Sequence, residues 1–386
     1  MASRRLCTVS AFAFFCLFSG SVLAQLQIHH VDVGQADGAV VITPGGKVIL
    51  FDVGQDMKRK DCVRPVSYLE QLGVKQIDAL FVSHYHSDHI ECIPDVLKQF
   101  PLKGPAYDRG GSYQSVPYDN YVAAVKSHRK TARVGDVFTF DKSPDQVVIS
   151  VYEVNGKSKD DDVSTTNEND LSLATILSYG QFREDISGDL SGENTSNYND
   201  VETPVAAQVG RIDVYKVHHH CSTHSTNAQW VKETTPTVAV ISVGNGNSYK
   251  HPGQTCLDRL RADPALKKAY WTEHGSGGEP KTGLDAVVGN VEIDVPKGGA
   301  TYTVTASGKT DTYQSAAPAP TDVGSTAAPT SAPGPKGYAW SKRPSVAVYH
   351  YEDCAFVANI SPNNLEKGDT PPRGKKLHKG CPIHVK

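Results

Sequence analysis

Three histidines and an aspartate lie within six consecutive positions, in the stretch SHYHSDHI at residues 83–90. The whole chain has only 15 histidines in 386 residues. Imidazole nitrogens and carboxylate oxygens are side-chain ligands of transition-metal ions. On a tight loop, His84 and His86 are spaced to contact one ion, and Asp88 and His89 can turn toward a second. The alternative interpretation is a solvated polar loop.

The elements on either side of this segment favour the metal site. Residues 76–83 (QIDALFVS) have the apolar run of a buried strand, and residues 92–100 have helical spacing. The segment therefore joins the C-terminal end of a strand to a helix. In α/β folds this is the usual location of catalytic and binding residues.

Further polar clusters follow other strand-like segments. The predicted strands are residues 171–179, 211–217 and 238–243. Asp189 in SGDL comes after the first, His219 and His220 in HHHCSTHS end the second, and His251 comes after the third. Two metal ions need more ligands than one loop supplies, including a carboxylate able to bridge them. Asp189 and the HHH cluster are the candidates for these ligands.

The first 24 residues have the features of a secretory signal peptide. Arg4 and Arg5 precede an apolar run at residues 11–18, and small residues at 21–24 offer a cleavage site. The apolar run is shorter than the roughly 20 residues that span a membrane, which disfavours a membrane anchor. We expect a secreted or periplasmic protein without a membrane span in the mature chain.

Composition divides the mature chain into two domains. Residues 315–337 are rich in Pro, Ala, Ser and Thr and predict an extended linker between residues 25–314 and residues 338–386. From Lys336 onward, nine Lys/Arg stand against four Asp/Glu, and the rest of the mature chain carries a net charge of −10. The large domain therefore lacks the broad basic surface of nucleic-acid-binding proteins. The basic small domain predicts an anionic polymer as its partner.

Several motifs together resemble the metallo-β-lactamase fold superfamily. They are HHVDVGQADGAVVI (29–42), ILFDVG (49–54), SHYHSDHI (83–90), NDLSLATILSYG (169–180), SGDL (187–190), KVHHHCSTHS (216–225) and SVGNGNSYKHP (242–252). More narrowly, they resemble the hydrolase domain of bacterial competence (DNA-uptake) proteins and its free-standing secreted relatives. Around HHH and HSDH the chain also resembles secreted phosphorylcholine esterases. The resemblance implies an α/β fold, a four-layer αβ/βα sandwich with a dinuclear site on one rim.

The resemblance also implies roles for the clustered residues. His84 and His86 would bind the first ion, Asp88 and His89 the second, and Asp189 would bridge them. The cofactors would be two divalent metal ions, with zinc preferred and manganese as the alternative.

The remaining ligands are less uniquely determined. His220 is preferred as the last ligand of the site, and His219 is the alternative. Many relatives offer a third histidine to the first ion, whereas this chain offers Asn169 or Asp170. An oxygen ligand there makes the site harder and is the reason for including manganese.

Candidate catalytic residues are Asp88, His219 and His251, and either of these histidines would protonate the leaving oxygen. Asp32 and Asp52 are expected to support the site from beneath or to form a turn, rather than to bind metal directly.

The implied activity is a metal-dependent hydrolase, with phosphodiesterase as the first hypothesis. The substrate would be a small-molecule or nucleic-acid phosphodiester, and a phosphocholine-like ester is one such candidate. Hydrolysis of a β-lactam or lactone is the alternative reaction, since the fold hosts both. A non-catalytic protein that binds an anionic surface polymer is the alternative from another class, but the nearly complete ligand set argues against it.

Six cysteines remain after the signal peptide, an even number that favours disulfides in an oxidising compartment. Cys92 lies just beyond the metal loop and Cys221 directly follows a candidate ligand. We predict the pairs Cys62–Cys92 and Cys221–Cys256, which would hold the two ligand-bearing loops. The alternative is that Cys221 binds metal as a thiolate and Cys256 is a buried thiol.

The small domain contains His350, Cys354, His378 and Cys381. These four residues can form a zinc site. Export favours the other interpretation, a Cys354–Cys381 disulfide beside a basic binding face.

Overall fold

A computed structural model describes residues 25–55, 61–315, 338–342, 348–351, 364–368 and 376–377. The chain divides into two compact units, Met1–Ala319 and Pro320–Lys386. The boundaries of the signal peptide, the linker and the small domain stay predictions, and the signal peptide lies outside the described residues. Within the described part of the chain, no helix combines the length and apolar character required to cross a membrane.

The first unit consists of strands and short helices. Its strands are β1 (Leu26–His30), β2 (Gly38–Ile42), β3 (Val48–Val53), β4 (Ala79–Phe81), β5 (Ala106–Asp108), β6 (Arg129–Thr131), β7 (Val137–Phe140), β8 (Val147–Val154), β9 (Lys157–Ser158), β10 (Ala174–Tyr179), β11 (Phe182–Asp185), β12 (Val214–Lys216), β13 (Val238–Ile241), β14 (Lys268–Trp271), β15 (Asp285–Val287), β16 (Val291–Val295), β17 (Thr301–Ala306) and β18 (Lys309–Gln314). Its helices are α1 (Val63–Gln71), α2 (Ser87–Ile90), α3 (Ile93–Gln99), α4 (Val116–Val125), α5 (Thr203–Val209), α6 (Ala228–Thr234) and α7 (Gln254–Arg261).

These strands form two mixed sheets of nine strands each, counted over the described residues. The first sheet has the order β18-β17-β16-β1-β2-β3-β4-β5-β6, and β3 to β6 run parallel. The second has the order β15-β14-β13-β12-β11-β10-β8-β7, with β9 paired to β8. In the second sheet, β11 to β15 run parallel.

Buried apolar side chains form three main layers of contact. One lies between the two sheets, with Ile28 and Ile49 of the first sheet and Ile149 and Val240 of the second. A second joins the first sheet to α1, α3 and α4, and a third joins the second sheet to α5, α6 and α7. The order of layers is therefore helices, sheet, sheet, helices. This confirms the predicted α/β sandwich.

The sandwich brings the candidate ligands to one edge. Because β11, β12 and β13 are parallel neighbours, the segments that follow them leave the second sheet on the same side. The histidine loop, residues 83–90, follows β4 of the first sheet. Strand β4 is shorter than the strand predicted at 76–83. Its Ser83 carbonyl accepts a hydrogen bond from the Leu173 N–H at 3.0 Å, which joins the two halves at the site.

Gly54 is required where the end of β3 meets the histidine loop. A Cβ on this residue would lie 1.6 Å from the carbonyl oxygen of Asp88. We expect Gly54→Ala to lower the free energy of unfolding by about 3 kcal/mol, because neither backbone can move without breaking its contacts. Urea denaturation measures this loss. Gly38→Ala is the matched control, since its Cβ would meet no atom closer than 3.7 Å, and an equal loss in both variants contradicts the explanation.

The second unit contains a small sheet. Its strands β19 (Tyr338–Ser341), β20 (Val348–Tyr351), β21 (Leu365–Gly368) and β22 (Lys376–Leu377) have the order β21-β19-β20-β22. Cys354, His378 and Cys381 lie outside the described residues. The choice between a zinc site and a disulfide in this unit therefore stays a prediction.

Candidate metal centre

The histidine loop aims two imidazoles at one point. Nε2 of His84 lies 3.1 Å from Nδ1 of His86, a separation that suits two ligands of one ion. The other ring nitrogen of His84 lies 3.1 Å from the Ser83 hydroxyl and 3.2 Å from the Ser172 hydroxyl. His84 is fully buried, and these contacts hold its ring in place. The structure therefore brings the first predicted ligand pair together.

A buried ion pair fixes the backbone between these histidines. The Tyr85 N–H donates a hydrogen bond of 2.9 Å to Oε1 of Glu168. Arg109 binds both oxygens of the same carboxylate, with Nε at 2.8 Å and Nη2 at 2.6 Å. Glu168 directly precedes Asn169, so one carboxylate links two segments of the site.

His89 lies between two carboxylates. Its Nδ1 lies 2.8 Å from Oδ2 of Asp52, and its Nε2 lies 3.3 Å from Oδ1 of Asp189. A carboxylate on one ring nitrogen is a common way to orient a histidine whose other nitrogen binds metal. Asp52 therefore has the supporting position that we predicted. Asp32 does not support the site: its half-buried carboxylate accepts hydrogen bonds from Arg64 and from the Gly34 N–H, which gives it the turn role stated as the alternative.

The HHHC segment makes a left-handed turn. The φ angles are 48° at His219, 52° at His220 and 58° at Cys221. Side chains other than glycine rarely adopt this conformation, which costs free energy and is often found at functional sites. The turn directs His219 and His220 to the site, whereas His218 contacts Asp185 and Glu202.

The contacts of His220 favour it over His219 as a ligand. Nδ1 of His220 donates to the Ser242 carbonyl oxygen at 2.9 Å, which leaves Nε2 to face Asp88 at 3.4 Å and Asp189 at 3.7 Å. Nε2 of His219 also lies 3.8 Å from Asp189. However, that nitrogen lies 3.2 Å from the side-chain amide of Asn169. The choice of His220 stays a prediction that this geometry supports.

His251 and Asn169 border the same cavity, whose volume is about 540 Å³. The His251 ring lies 5.5 Å from that of His219, and its Nδ1 lies 3.2 Å from the Gln35 amide nitrogen. Asn169 is buried, and its Oδ1 has no hydrogen-bond partner. The other candidate at this position, Asp170, instead accepts hydrogen bonds from Thr165 and Asn199. This cavity lies in the size range of small-molecule sites.

Asp37 is a site residue that the sequence analysis missed. It forms one group with His89, Asp189 and His220 whose potential ligand atoms all lie within 4.8 Å of one another. Its carboxylate is also paired with the buried ammonium of Lys216. Because Asp37 faces the Nδ1 atoms of both histidines, at 3.8 and 4.0 Å, we interpret it as a support behind the ligands. Its position in GQAD, after the first strand, was the available signal.

The donor atoms fit a transition-metal site. Several are buried and lack a hydrogen bond of good geometry: Nε2 of His89, Nε2 of His220, Oδ1 of Asp189 and Oδ1 of Asn169. Of these, Nε2 of His89 lies 3.3 Å from Asp189 and Nε2 of His220 lies 3.4 Å from Asp88. Leaving such atoms unpaired is costly unless a bound group satisfies them. Nitrogen and oxygen donors of this kind suit zinc or manganese. The residues therefore fit the ions that the resemblance implies.

The charges of the site divide its histidines into two classes. Burial lowers the pKa of His220, but Asp189 and Asp37 outweigh it and raise the pKa to about 9. Burial also lowers the pKa of His89, but Asp189 and Asp52 outweigh it and raise this pKa well above its usual value. Burial lowers the pKa of His219 to about 4 and of His251 to about 2. A metal ion must therefore displace protons from His89 and His220, and metal affinity falls as the pH is lowered.

His218 is a structural imidazolium. Its nitrogens lie 2.9 Å from Asp185 and 2.8 Å from Glu202. Burial lowers its pKa, but the two carboxylates outweigh it and raise the pKa from 6.5 to about 9. A group whose pKa is higher in the folded than in the unfolded protein stabilises the fold fully when the pH is below the unfolded-state pKa. This contribution is lost as the pH rises through the folded-state pKa.

We therefore expect the His218 contribution to decrease between pH 6.5 and 9, by about 3 kcal/mol at most. Urea denaturation of metal-free protein and of metal-free His218→Gln over this range gives the measurement. The difference in unfolding free energy between the two proteins removes the contributions of the other titrating groups. Parallel stability curves for the two proteins are the result that contradicts this assignment.

Two disulfides hold the ligand-bearing loops, as predicted. Cys62–Cys92 joins the segment before α1 to the segment before α3, and Cys221–Cys256 joins the left-handed turn to α7. The alternative in which Cys221 is a thiolate ligand is not the arrangement in the structure.

We expect the double variant Cys221→Ser/Cys256→Ser to lose about 2–4 kcal/mol of unfolding free energy, because the closed loop restricts the unfolded chain. It should also lose metal more readily than Cys62→Ser/Cys92→Ser, since the Cys221–Cys256 bond holds the strained turn and the Cys62–Cys92 bond does not. Urea denaturation and metal analysis measure the two effects. A free, alkylatable Cys256 in the oxidised wild-type protein contradicts the pairing.

The family model for the metallo-beta-lactamase superfamily matches residues 38–245, more than half of the chain. The chain belongs to the metallo-beta-lactamase superfamily. The match includes the histidine loop, Asp189 and the HHHC turn. The predicted family is therefore confirmed, and so is its fold.

Relatives within this superfamily include competence proteins, as predicted. The chain is 28% identical over 275 residues to ComE operon protein 3 of Bacillus subtilis, covering 66% of this chain and 33% of that protein. It is 28% identical over 239 residues to Recombination protein 2 of Haemophilus influenzae, covering 61% and 26%. It is 26% identical over 233 residues to Competence protein ComA of Neisseria gonorrhoeae, covering 60% and 29%. The chain thus spans no more than a third of the length of these relatives.

Proposed function

We propose that this protein is an exported hydrolase with two divalent metal ions that cleaves phosphodiester bonds. The observation that carries the proposal is the convergence on Asp189 of two ligand groups. In the first group, Nε2 of His84 lies 4.0 Å from Asp189 and 3.1 Å from Nδ1 of His86. His89 and His220 approach it at 3.3 and 3.7 Å. A buried carboxylate within 4.0 Å of imidazoles from both ligand groups suits a bridge between two ions.

Bound at these residues, two divalent ions would supply Lewis-acid stabilisation of charge and activation of water. The chain orients these ligands through Asp52 behind His89 and the Ser242 carbonyl behind His220. Asp88 remains partly exposed, with 21% of its side-chain surface accessible. It is thus available to substrate as well as to the second ion.

His251 is our candidate hydrogen-bond donor to the leaving oxygen, in place of the proton donor that the sequence analysis expects. The Gln35 amide can donate a hydrogen bond to its Nδ1, which leaves the proton of neutral imidazole on Nε2. With its pKa lowered by burial to about 2, this ring stays neutral at physiological pH. It therefore acts as a hydrogen-bond donor to a leaving oxygen rather than as an imidazolium acid. His219, with a pKa of about 4, is the second candidate for this role.

The relatives support a phosphodiester substrate. Two of them are named for recombination and competence, processes that act on DNA. The cavity of about 540 Å³ accepts a small ester or the end of a single strand. The two disulfides support the proposed export, because such bonds persist in oxidising compartments. The anionic polymer proposed for the small domain rests on its charge alone.

An activity panel tests the proposal. Metal-loaded full-length protein is assayed with bis-p-nitrophenyl phosphate, single-stranded DNA, p-nitrophenyl phosphorylcholine and nitrocefin, each with zinc and with manganese. We expect hydrolysis of at least one phosphodiester and none of nitrocefin. His274→Ala, an exposed histidine elsewhere, is the control for histidine replacement. Cleavage of nitrocefin alone, or no cleavage at all, contradicts the proposal.

Export has a separate test. N-terminal sequencing of protein recovered from outside the cytoplasm should begin at Gln25. A mature protein that retains Arg4 and Arg5 contradicts the cleaved signal peptide.

A further inference from the structure

A second set of buried oxygen atoms lies behind the metal centre. Glu153, near the end of β8, is 1% exposed, and neither of its carboxylate oxygens has a hydrogen-bond partner. Asp170 is fully buried, and its Oδ1 likewise has no partner. The buried hydroxyl of Ser191 lies beside Asp170, and the two side chains interact weakly at most. Both oxygens of Glu153 are therefore unsatisfied, and Asp170 and Ser191 offer further buried oxygen atoms in the same region.

Three segments of the second sheet converge to form this group. The Asn155 N–H donates to the Leu171 carbonyl oxygen at 3.3 Å, which joins the end of β8 to the turn that carries Asp170. The Asp189 N–H donates to the Ser172 hydroxyl at 3.0 Å, which brings the segment containing Ser191 alongside. These contacts hold the three side chains on neighbouring segments of backbone.

The available hydrogen bonds leave one side of Asp170 unpaired. Its Oδ2 accepts from the Thr165 hydroxyl and from the Asn199 N–H, both at 2.8 Å. Its Oδ1 has no such donor. The backbone hydrogen bond from Asn155 to Leu171 brings the end of β8 alongside the turn that carries Asp170, and burial and the Asp170 charge both raise the pKa of Glu153. The two carboxylates are therefore neighbours, each with free oxygens.

The charges around Glu153 are all of one sign. The groups that act on it are Asp170, Glu202 and Asp200, and each raises its pKa, as burial does. Glu202 is neutralised by His218 and two backbone N–H groups, and Asp200 is bonded by Thr203 and Asn227. No comparable partner satisfies Glu153 among the described residues. A buried carboxylate in such surroundings needs a cation or a proton.

We propose that Glu153, Asp170 and Ser191 bind a hard divalent cation of the calcium type, distinct from the ions at Asp189. The donor set consists only of oxygen atoms, with two carboxylates and a hydroxyl. Calcium takes six to eight oxygen ligands in flexible geometry and accepts mono- or bidentate carboxylates, with water completing the shell. Transition metals are drawn instead to imidazole nitrogens.

The position of this cation gives it a structural role. Asp170 directly follows Asn169, and Ser191 lies two residues after Asp189, so the cation would hold the backbone of both site segments. Asp170, the alternative to Asn169 as a ligand of the first catalytic ion, would bind this cation instead. The inference does not depend on the proposed phosphodiesterase activity.

Calcium binding to the zinc-loaded full-length protein tests the inference. The protein is freed of calcium on a chelating resin, reloaded with zinc and titrated with calcium chloride. We expect one calcium per chain by equilibrium dialysis and a rise in melting temperature of about 5 °C at 100-fold excess over the dissociation constant. No bound calcium and no rise in melting temperature in the wild type overturn the proposal.

Glu153→Gln tests whether the Glu153 carboxylate binds a cation or only contacts neighbouring residues. It should bind calcium at least 100-fold more weakly and show no rise in melting temperature. Without calcium it should melt at or above the wild-type temperature, because it removes an unpaired buried charge. Asp170→Asn, a second conservative variant, should also lose calcium. A response to calcium in Glu153→Gln equal to that of wild type contradicts the assignment.

Two controls make the result specific. Glu279→Gln changes a carboxylate whose side chain is 81% exposed and should respond to calcium as wild type does. His84→Ala should lose zinc and keep calcium, which separates this site from the catalytic one. If acidification stabilises the wild type relative to Glu153→Gln while calcium does not, Glu153 carries a proton and the proposal is wrong.

Discussion

Replacing Asp189 with alanine is expected to reduce bound metal from two equivalents per chain to nearly none. Phosphodiester hydrolysis should fall by more than about 10³-fold, since residues that act as one unit fail together. The physical reason is the position of this carboxylate, 3.3 Å from His89 and 3.7 Å from His220. Without it, the positive charge of two neighbouring ions has no shared counter-charge. Elemental analysis of gently purified protein measures the stoichiometry.

The matched control for this change is Asp162→Ala, which removes an exposed carboxylate that pairs with Lys157. Circular dichroism should show that both variants remain folded. An unchanged metal content in Asp189→Ala contradicts the bridging role. A wild-type content near zero contradicts the dinuclear site itself.

His84→Ala and His220→Ala are each expected to lower hydrolysis by more than about 10²-fold while the protein stays folded. In the proposed site they supply ligands to different ions, and two-metal chemistry needs both ions. Nδ1 of His220 donates to the Ser242 carbonyl oxygen, which leaves Nε2 for the ion. Steady-state kinetics with bis-p-nitrophenyl phosphate and metal analysis measure the two effects.

His219→Ala is the comparison that makes this result decisive. We expect it to keep both ions and to lose less activity than His220→Ala, because its Nε2 lies beside Asn169. The reverse order of effects would mean that His219 is the ligand. Near wild-type rates in both variants would mean that one ion suffices.

Local patterns were enough to predict the fold and the clusters. A buried strand followed by alternating histidines indicates a metal-binding loop. This pattern can be read locally, because neighbouring residues determine where a strand ends and a tight loop begins. The two disulfides followed from similar reasoning, since Cys92 and Cys221 each lie close in sequence to a candidate ligand. Asp52 was also placed correctly, from its position in ILFDVG at the end of a strand.

Long-range contacts escaped this reasoning. Asp37 pairs with Lys216, which is 179 positions away in the chain. No local pattern indicates which aspartate of the first loop meets a lysine of the opposite sheet. Asp32 was chosen instead, and it lies against Arg64. The packing of the two sheets decides such pairs, so they follow from the tertiary structure.

The sequence by itself determined the superfamily, the layered sandwich and the residues that can bind metal. Only the tertiary structure decided how three consecutive histidines divide their roles. Because His219 and His220 adopt positive φ angles, they face the site, whereas His218 meets two buried carboxylates behind it. That conformation costs free energy locally. The Cys221–Cys256 bond and the Ser242 carbonyl hold it in place, and both partners lie far away in sequence.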